Sequence, residues 1–192
     1  MERNQTITFS DLKELIRADY GRLAKRKYGY FIYLLTNASF KVTFWFRIAS
    51  WLQNRRRLRI VYFLVAVLYK HYQYLTGIQL PIGTDVGGGL FFPHFGTIVI
   101  NKYSVIGSNC TIYQGVTIGS MRGECAPQKI GKNVVLFSGA KIIGNVIVGD
   151  NACVGAGAVV VKNVDKDSCV AGVPAKTIAM TGRDISKLYC EC

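Results

Sequence analysis

Histidine, proline and acidic side chains are scarce in this chain of 192 residues, which has 2 His, 4 Pro and 11 Asp and Glu against 24 Lys and Arg. Two histidines leave too little for a His-rich metal centre. The 6 cysteines are too few for a disulfide scaffold at this length, and none forms a Cys-x-x-Cys pair, so a zinc module is not expected. No long hydrophobic run is present either. The longest, Ile60 to Tyr69, has ten residues, about half of the ~20 that a membrane-spanning helix needs. Met1 to Ser10 lacks the basic start and apolar stretch of a secretory signal, which predicts a cytoplasmic protein. What is present in quantity is apolar residue, at 50%, enough to bury a core in one domain with an appendage.

The formal charge of +13 is uneven. Up to residue 75 there are 14 basic and 4 acidic side chains, and beyond it 10 and 7. This basic third, residues 1–76, reads as helical. Ser10 is expected to cap a first helix whose Leu12, Leu15, Ile16 and Leu23 follow helical spacing. A second helix is expected from Asn37, with Phe40, Phe44, Ile48 and Leu52 on one face, and a third from Arg56 to Tyr74, stopped by Gly77. The clusters Lys25-Arg26-Lys27 and Arg55-Arg56-Arg57 with Arg59 read either as solvated helix ends or as a surface for anionic lipid head groups or acidic saccharides. No nucleic-acid reading motif accompanies them, and none is expected to be bound. His71, near a helix end, reads as structural.

From Ile82 the periodicity changes to six. Every sixth residue from Ile82 to Val160 gives fourteen positions, of which eleven are Ile, Leu or Val, and the position four later is mostly small or apolar. A short strand and a tight turn every six residues, three to a unit, give a triangular coil, and successive coils stack in register as in a solenoid. Three positions break the pattern. Gly88 lies in Gly87-Gly88-Gly89, where the backbone turns sharply or admits a close neighbour. Glu124 lies in the polar segment Ser120 to Lys129, expected to be a loop extruded from the helix and able to cover a site. His94 stands where the pattern asks for an aliphatic side chain, and by position alone is either a satisfied structural histidine or a catalytic one. Cys110 and Cys153 read as packing residues, and Cys190 and Cys192 as part of an untethered tail over 181–192.

The segments Gly89-Leu-Phe-Phe-Pro-His94-Phe-Gly-Thr-Ile-Val-Ile100, Ile106-Gly-Ser-Asn-Cys-Thr-Ile-Tyr-Gln-Gly-Val-Thr-Ile-Gly119 and Ala171-Gly-Val-Pro-Ala-Lys176 resemble the hexapeptide-repeat acyltransferases. They are similar to serine O-acetyltransferases, and more closely to the short members that acetylate sugars in surface-polysaccharide assembly. The resemblance implies a left-handed parallel β-helix over 77–180 preceded by the small α-helical region. It implies homotrimers, with trimers able to pair, and acetyl-CoA as co-substrate with no metal. His94 then matches the general base that takes the proton of the acceptor hydroxyl. For acetyl-CoA, Lys141 and Lys176 are the matching cations, and the small residues Ser138, Gly139, Ala140, Ala156 and Gly157 would let the pantetheine arm approach. Backbone N–H groups near Gly115 or Gly139 are expected to hold the oxyanion.

Departures from the serine enzymes bear on the acceptor. Their Asp before the catalytic histidine, their Asp fifteen residues earlier and their His before Pro-Lys-Ile are replaced by Pro93, Gln79 and Pro127. Without a buried group to grip the serine ammonium, a saccharide or lipid-linked saccharide hydroxyl is expected slightly ahead of L-serine. The ending Glu191-Cys192 argues against docking to cysteine synthase. The basic helices would place the enzyme peripherally at the inner membrane surface. The alternative is a non-catalytic β-helix serving binding or oligomerisation. A γ-carbonic anhydrase is disfavoured, because it needs three metal histidines and only His94 lies in the repeat.

Overall fold

The structure, a computed structural model, describes residues 7–23, 29–121 and 127–180. Lys25-Arg26-Lys27, Glu124 with the centre of its loop, and the tail from 181 that carries Cys190, Glu191 and Cys192 lie outside the described residues.

Helix α1 spans Phe9–Gly21. Its cap is Thr8 and not Ser10. The Thr8 hydroxyl accepts from Asp11 N, while Thr8 N donates back to the Asp11 carboxylate at 2.8 Å, a reciprocal box that only the residue three before an acid can close. These hydrogen bonds hold the Asp11 carboxyl below its ordinary range. A short helix α2, Tyr30–Thr36, was not signalled by periodicity, because its run YFIYLLT is apolar all round and buries none of its residues. Helix α3, Ala38–Leu52, starts as expected at Asn37, whose side chain accepts from Phe40 N at 2.9 Å. A 3-10 turn over Arg56–Leu58 leads into α4, Arg59–Thr76, which ends at Gly77 in the left-handed conformation with φ 67°.

The rest is a three-sided parallel β-helix with the hexapeptide pattern of the left-handed class. One face stacks β1 (Ile78–Gln79), β3 (Ile98–Ile100), β6 (Thr117–Gly119), β9 (Lys141–Ile143) and β12 (Val159–Val160). The second stacks β2 (Asp85–Val86), β4 (Val105–Ile106), β7 (Lys129–Ile130) and β10 (Ile147–Val148). The third stacks β5 (Thr111–Ile112), β8 (Val135–Leu136), β11 (Cys153–Val154) and β13 (Ser168–Ala171), with β14 (Lys176–Met180) added antiparallel. Ten of the eleven aliphatic repeat positions, from Ile100 to Val160, point inward and are buried, with Ile112, Ile118, Leu136 and Ile142 wholly so. At roughly 1.5–3 kcal/mol for each buried aliphatic side chain, this column drives the stacking. The helices share the same core: Val42, Phe46 and Tyr69 pack with Ile78 and Leu80 over the first coil. The Tyr69 hydroxyl and Gln73 both donate to the Leu80 carbonyl.

Register explains the breaks in the repeat. In-register partners lie eighteen residues apart in the regular coils, as for Lys141 with Val159. Ile118 and Ile142 are twenty-four apart, so one hexad is extruded between β6 and β7, where Glu124 falls. In the first coil, Val86 pairs with Ile106 and Phe91 with Thr111, twenty apart, whereas Val99 pairs with Thr117, eighteen apart. The two extra residues therefore lie in the corner after Phe92. Gly88 admits a close neighbour, since a Cβ there would stand 2.9 Å from Ala18 Cβ of α1.

One corner is built from left-handed Asn109, Asn133, Asn151 and Asp167, with φ 56–59°. Their side chains form a ladder: Asn109 Nδ2 donates to Asn133, Asn133 to Asn151, and Asn151 to the Asp167 carboxylate. Cys110 is buried in the core as expected, its thiol pushed up to about 12 by burial. Cys153 is not a packing residue. It faces outward beside inward Val154 and, being in register with Cys169, forms a disulfide with it.

Candidate functional site

The imidazole of His94 does not replace an aliphatic core residue. With the first coil shifted by two, Phe92 takes the inward place of Ile112 and is buried, whereas His94 is exposed on the long corner Pro93 to Thr97. Its ring lies 6.1 Å from that of Tyr113, one coil on, and Tyr113 stacks on Phe137 of the next coil at 5.5 Å. Among the described residues no carboxylate hydrogen-bonds to this imidazole.

From the same corner a column of glycines runs along the β-helix. Gly115 N donates to Gly96 O, Gly139 N to Gln114 O, and Gly157 N to Ser138 O, at 2.9–3.1 Å. Gly96, Gly115, Gly139 and Gly157 all have positive φ, and a Cβ on Gly115 would come 3.3 Å from the backbone of Gly139. The left-handed backbone disfavours side chains at these positions, and a bare peptide edge is left, which could receive an extended amide-containing chain such as pantetheine. The N–H groups of Gly115 and Gly139 themselves are bonded within this column, so an oxyanion would have to be held by neighbouring N–H groups.

The sequence-predicted ligand residues gather along the same corner. Ser138 and Gly139 are half-buried, Ala156 and Gly157 exposed, and Ala140 is buried so that only its backbone can contribute. Lys141 Nζ donates to Gly115 O at 2.6 Å and to Thr117 Oγ1 at 3.1 Å, placing its charge beside the column while it braces the corner. Lys176 is exposed at the start of β14, after the turn at Ala171 to Ala175, whose Val173-Pro174 bond is cis. No group of acidic, His and Cys side chains able to hold a metal occurs among the described residues.

Sequence reading missed the buried ion pair that anchors the Gly87-Gly88-Gly89 turn. Asp19 of α1 and Arg47 of α3 form a buried ion pair, and the Asp19 carboxylate also accepts from Gly89 N and Leu90 N at 2.8 and 3.0 Å. Arg47 donates in turn to the Val86 and Gly87 carbonyls. Only a charge on the expected inner face of each helix could have signalled this pair.

The fold defines a hexapeptide-repeat transferase scaffold. The family model "Bacterial transferase hexapeptide (six repeats)" matches residues 129–162. A serine acetyltransferase of Synechococcus elongatus is 34% identical over 157 residues, 81% of this chain and 63% of that protein. The crystal structure of a serine acetyltransferase from Brucella abortus superposes with TM-score 0.77 at 30% identity, covering 91% of this chain and 71% of its own. A serine acetyltransferase of Neisseria gonorrhoeae solved in complex with serine gives TM-score 0.75 at 29% identity, over 91% and 72%. The chain belongs to the serine acetyltransferase-like family of hexapeptide-repeat acyltransferases. It spans about three fifths of the length of the curated relatives it matches.

Proposed function

We propose that the protein transfers acetyl from acetyl-CoA to a hydroxyl group, with His94 as general base. The observation that carries this reading is an exposed imidazole at the foot of a side-chain-free glycine column. The imidazole takes the acceptor O–H proton as the oxygen bonds to the thioester carbonyl carbon. The C–S bond then breaks, and the proton passes to the departing thiolate. No covalent acyl-enzyme is required. Ser138, Gly139, Ala140, Ala156 and Gly157 would line the pantetheine arm, and Lys141 and Lys176 would supply charge for the CoA phosphates. Three copies would assemble around the β-helices, as the family implies.

L-Serine is the leading acceptor, supported by the serine acetyltransferases to which the chain is similar. A saccharide hydroxyl is the second reading, favoured by the absence of a carboxylate at Pro93 and Gln79 and of a histidine at Pro127. The test is acetyl-CoA turnover with serine and with a saccharide panel, for the native protein and for His94→Ala. Turnover lost in the variant supports the assignment. CoA release unchanged by His94→Ala overturns it, and no turnover with any acceptor favours a non-catalytic binding role.

A further inference from the structure

Helix α4 buries Tyr69, Gln73 and Thr76 against the β-helix and turns its most apolar face outward. Ile60, Phe63, Leu64, Val67, Tyr74 and Leu75 are 54–78% exposed and recur at the three- and four-residue spacing of one helical stripe. Beside the start of that stripe, Arg56, Arg57 and Arg59 are exposed, and Lys70 lies further along, its ammonium over the Tyr74 ring. The surrounding sequence is cationic without exception. Residues 20–84 contain 11 Lys and Arg and no Asp or Glu. Of these, Arg47 is neutralised by Asp19 and Arg22 is buried against Thr111, which leaves the rest without an acidic partner in the segment.

An exposed apolar stripe flanked by unopposed cations matches the interface of an anionic bilayer, where acyl chains receive the stripe and phosphates the arginines. A second copy fits less well, because two such faces would bring arginines together with no carboxylate to offset them. Among the described residues no helix is long and apolar enough to cross a membrane, so α4 would lie in the plane of the surface. We propose that the outer face of α4, with Arg56, Arg57 and Arg59, is a docking surface for anionic phospholipid membranes. This does not rest on the acetyl-transfer reading, since an inactive protein would dock equally well.

The test is flotation of the full chain with vesicles of phosphatidylcholine alone and of phosphatidylcholine with phosphatidylglycerol. Binding to the anionic vesicles only is expected. Arg56→Gln with Arg57→Gln should weaken it about thirtyfold, taking the usual contribution of a cation near an anionic surface. Phe63→Ser with Leu64→Ser should abolish it with unchanged circular dichroism, because both residues are exposed. In Phe63→Trp, the emission gained over native protein should shift to the blue on anionic vesicles as the ring enters the acyl region. No binding to anionic vesicles, or binding indifferent to Phe63→Ser with Leu64→Ser, overturns the proposal. So does a fall in oligomeric state for that double variant without any vesicle binding, which assigns the face to a second copy.

Discussion

Asp19 Oδ2 and Arg47 Nε meet at 2.9 Å with their side chains 1% and 3% exposed, and this pair joins α1, α3 and the glycine turn that leads to the His94 corner. Removing one partner strands the other charge in the interior. Asp19→Ala should therefore cost about 3–5 kcal/mol, the usual loss for a broken buried pair. Chemical denaturation of the variant beside Arg47→Met and the double variant measures it. The double variant should lose less than the sum of the singles, because no charge is left unpaired.

His94→Ala should lower acetyl transfer by about 10²–10⁴-fold, the range of general base catalysis. The side chain is exposed and lies outside the inward column, so the thermal midpoint should stay that of the native protein. Steady-state turnover with the preferred acceptor, beside a melting curve, separates a chemical loss from a folding one.

Gly139→Ala adds a methyl that would meet its nearest atoms at 3.7 and 3.8 Å, an ordinary contact, at a backbone with φ 74°. The strain should cost about 1–2 kcal/mol. The methyl also roughens the edge proposed for the pantetheine arm. An increase in KM for acetyl-CoA with little change in KM for the acceptor is expected from initial-rate kinetics.

Asn133 sits at φ 56° and both donates and accepts in the asparagine ladder. Asn133→Ala should destabilise by about 1–3 kcal/mol, combining lost hydrogen bonds with left-handed strain. Asn133→Gly removes the hydrogen bonds but keeps the conformation accessible. It should lie between native and Ala in urea midpoint.

Much of the architecture was legible because its cause is local and periodic. An aliphatic residue every sixth position announces three inward-facing strands per coil, and Asn37 and Gly77 announce helix ends through groups that bond within a few residues. Ser10 is the expected cap of α1, but the capping box is reciprocal, and Asp11 completes it with Thr8, two residues before Ser10. Helix α2 carries no amphipathic stripe, so it left no period to detect.

The six-residue period is enough to establish a stacked coil interrupted near residues 88, 94 and 124, and the charge count is enough to place the basic residues in the first third. Only the tertiary structure decided what the interruptions mean. Two extra residues in one corner move Phe92 into the core and His94 to the surface, and a shift of that kind is visible only when strands are paired with the coil above. The glycine column, the Cys153–Cys169 bridge and the Asp19–Arg47 pair likewise join residues 16 to 28 apart in sequence, whose meeting is set by the stacking of coils and helices. The outward stripe of α4 is a statement about which face found no partner, and burial is a property of the folded chain alone.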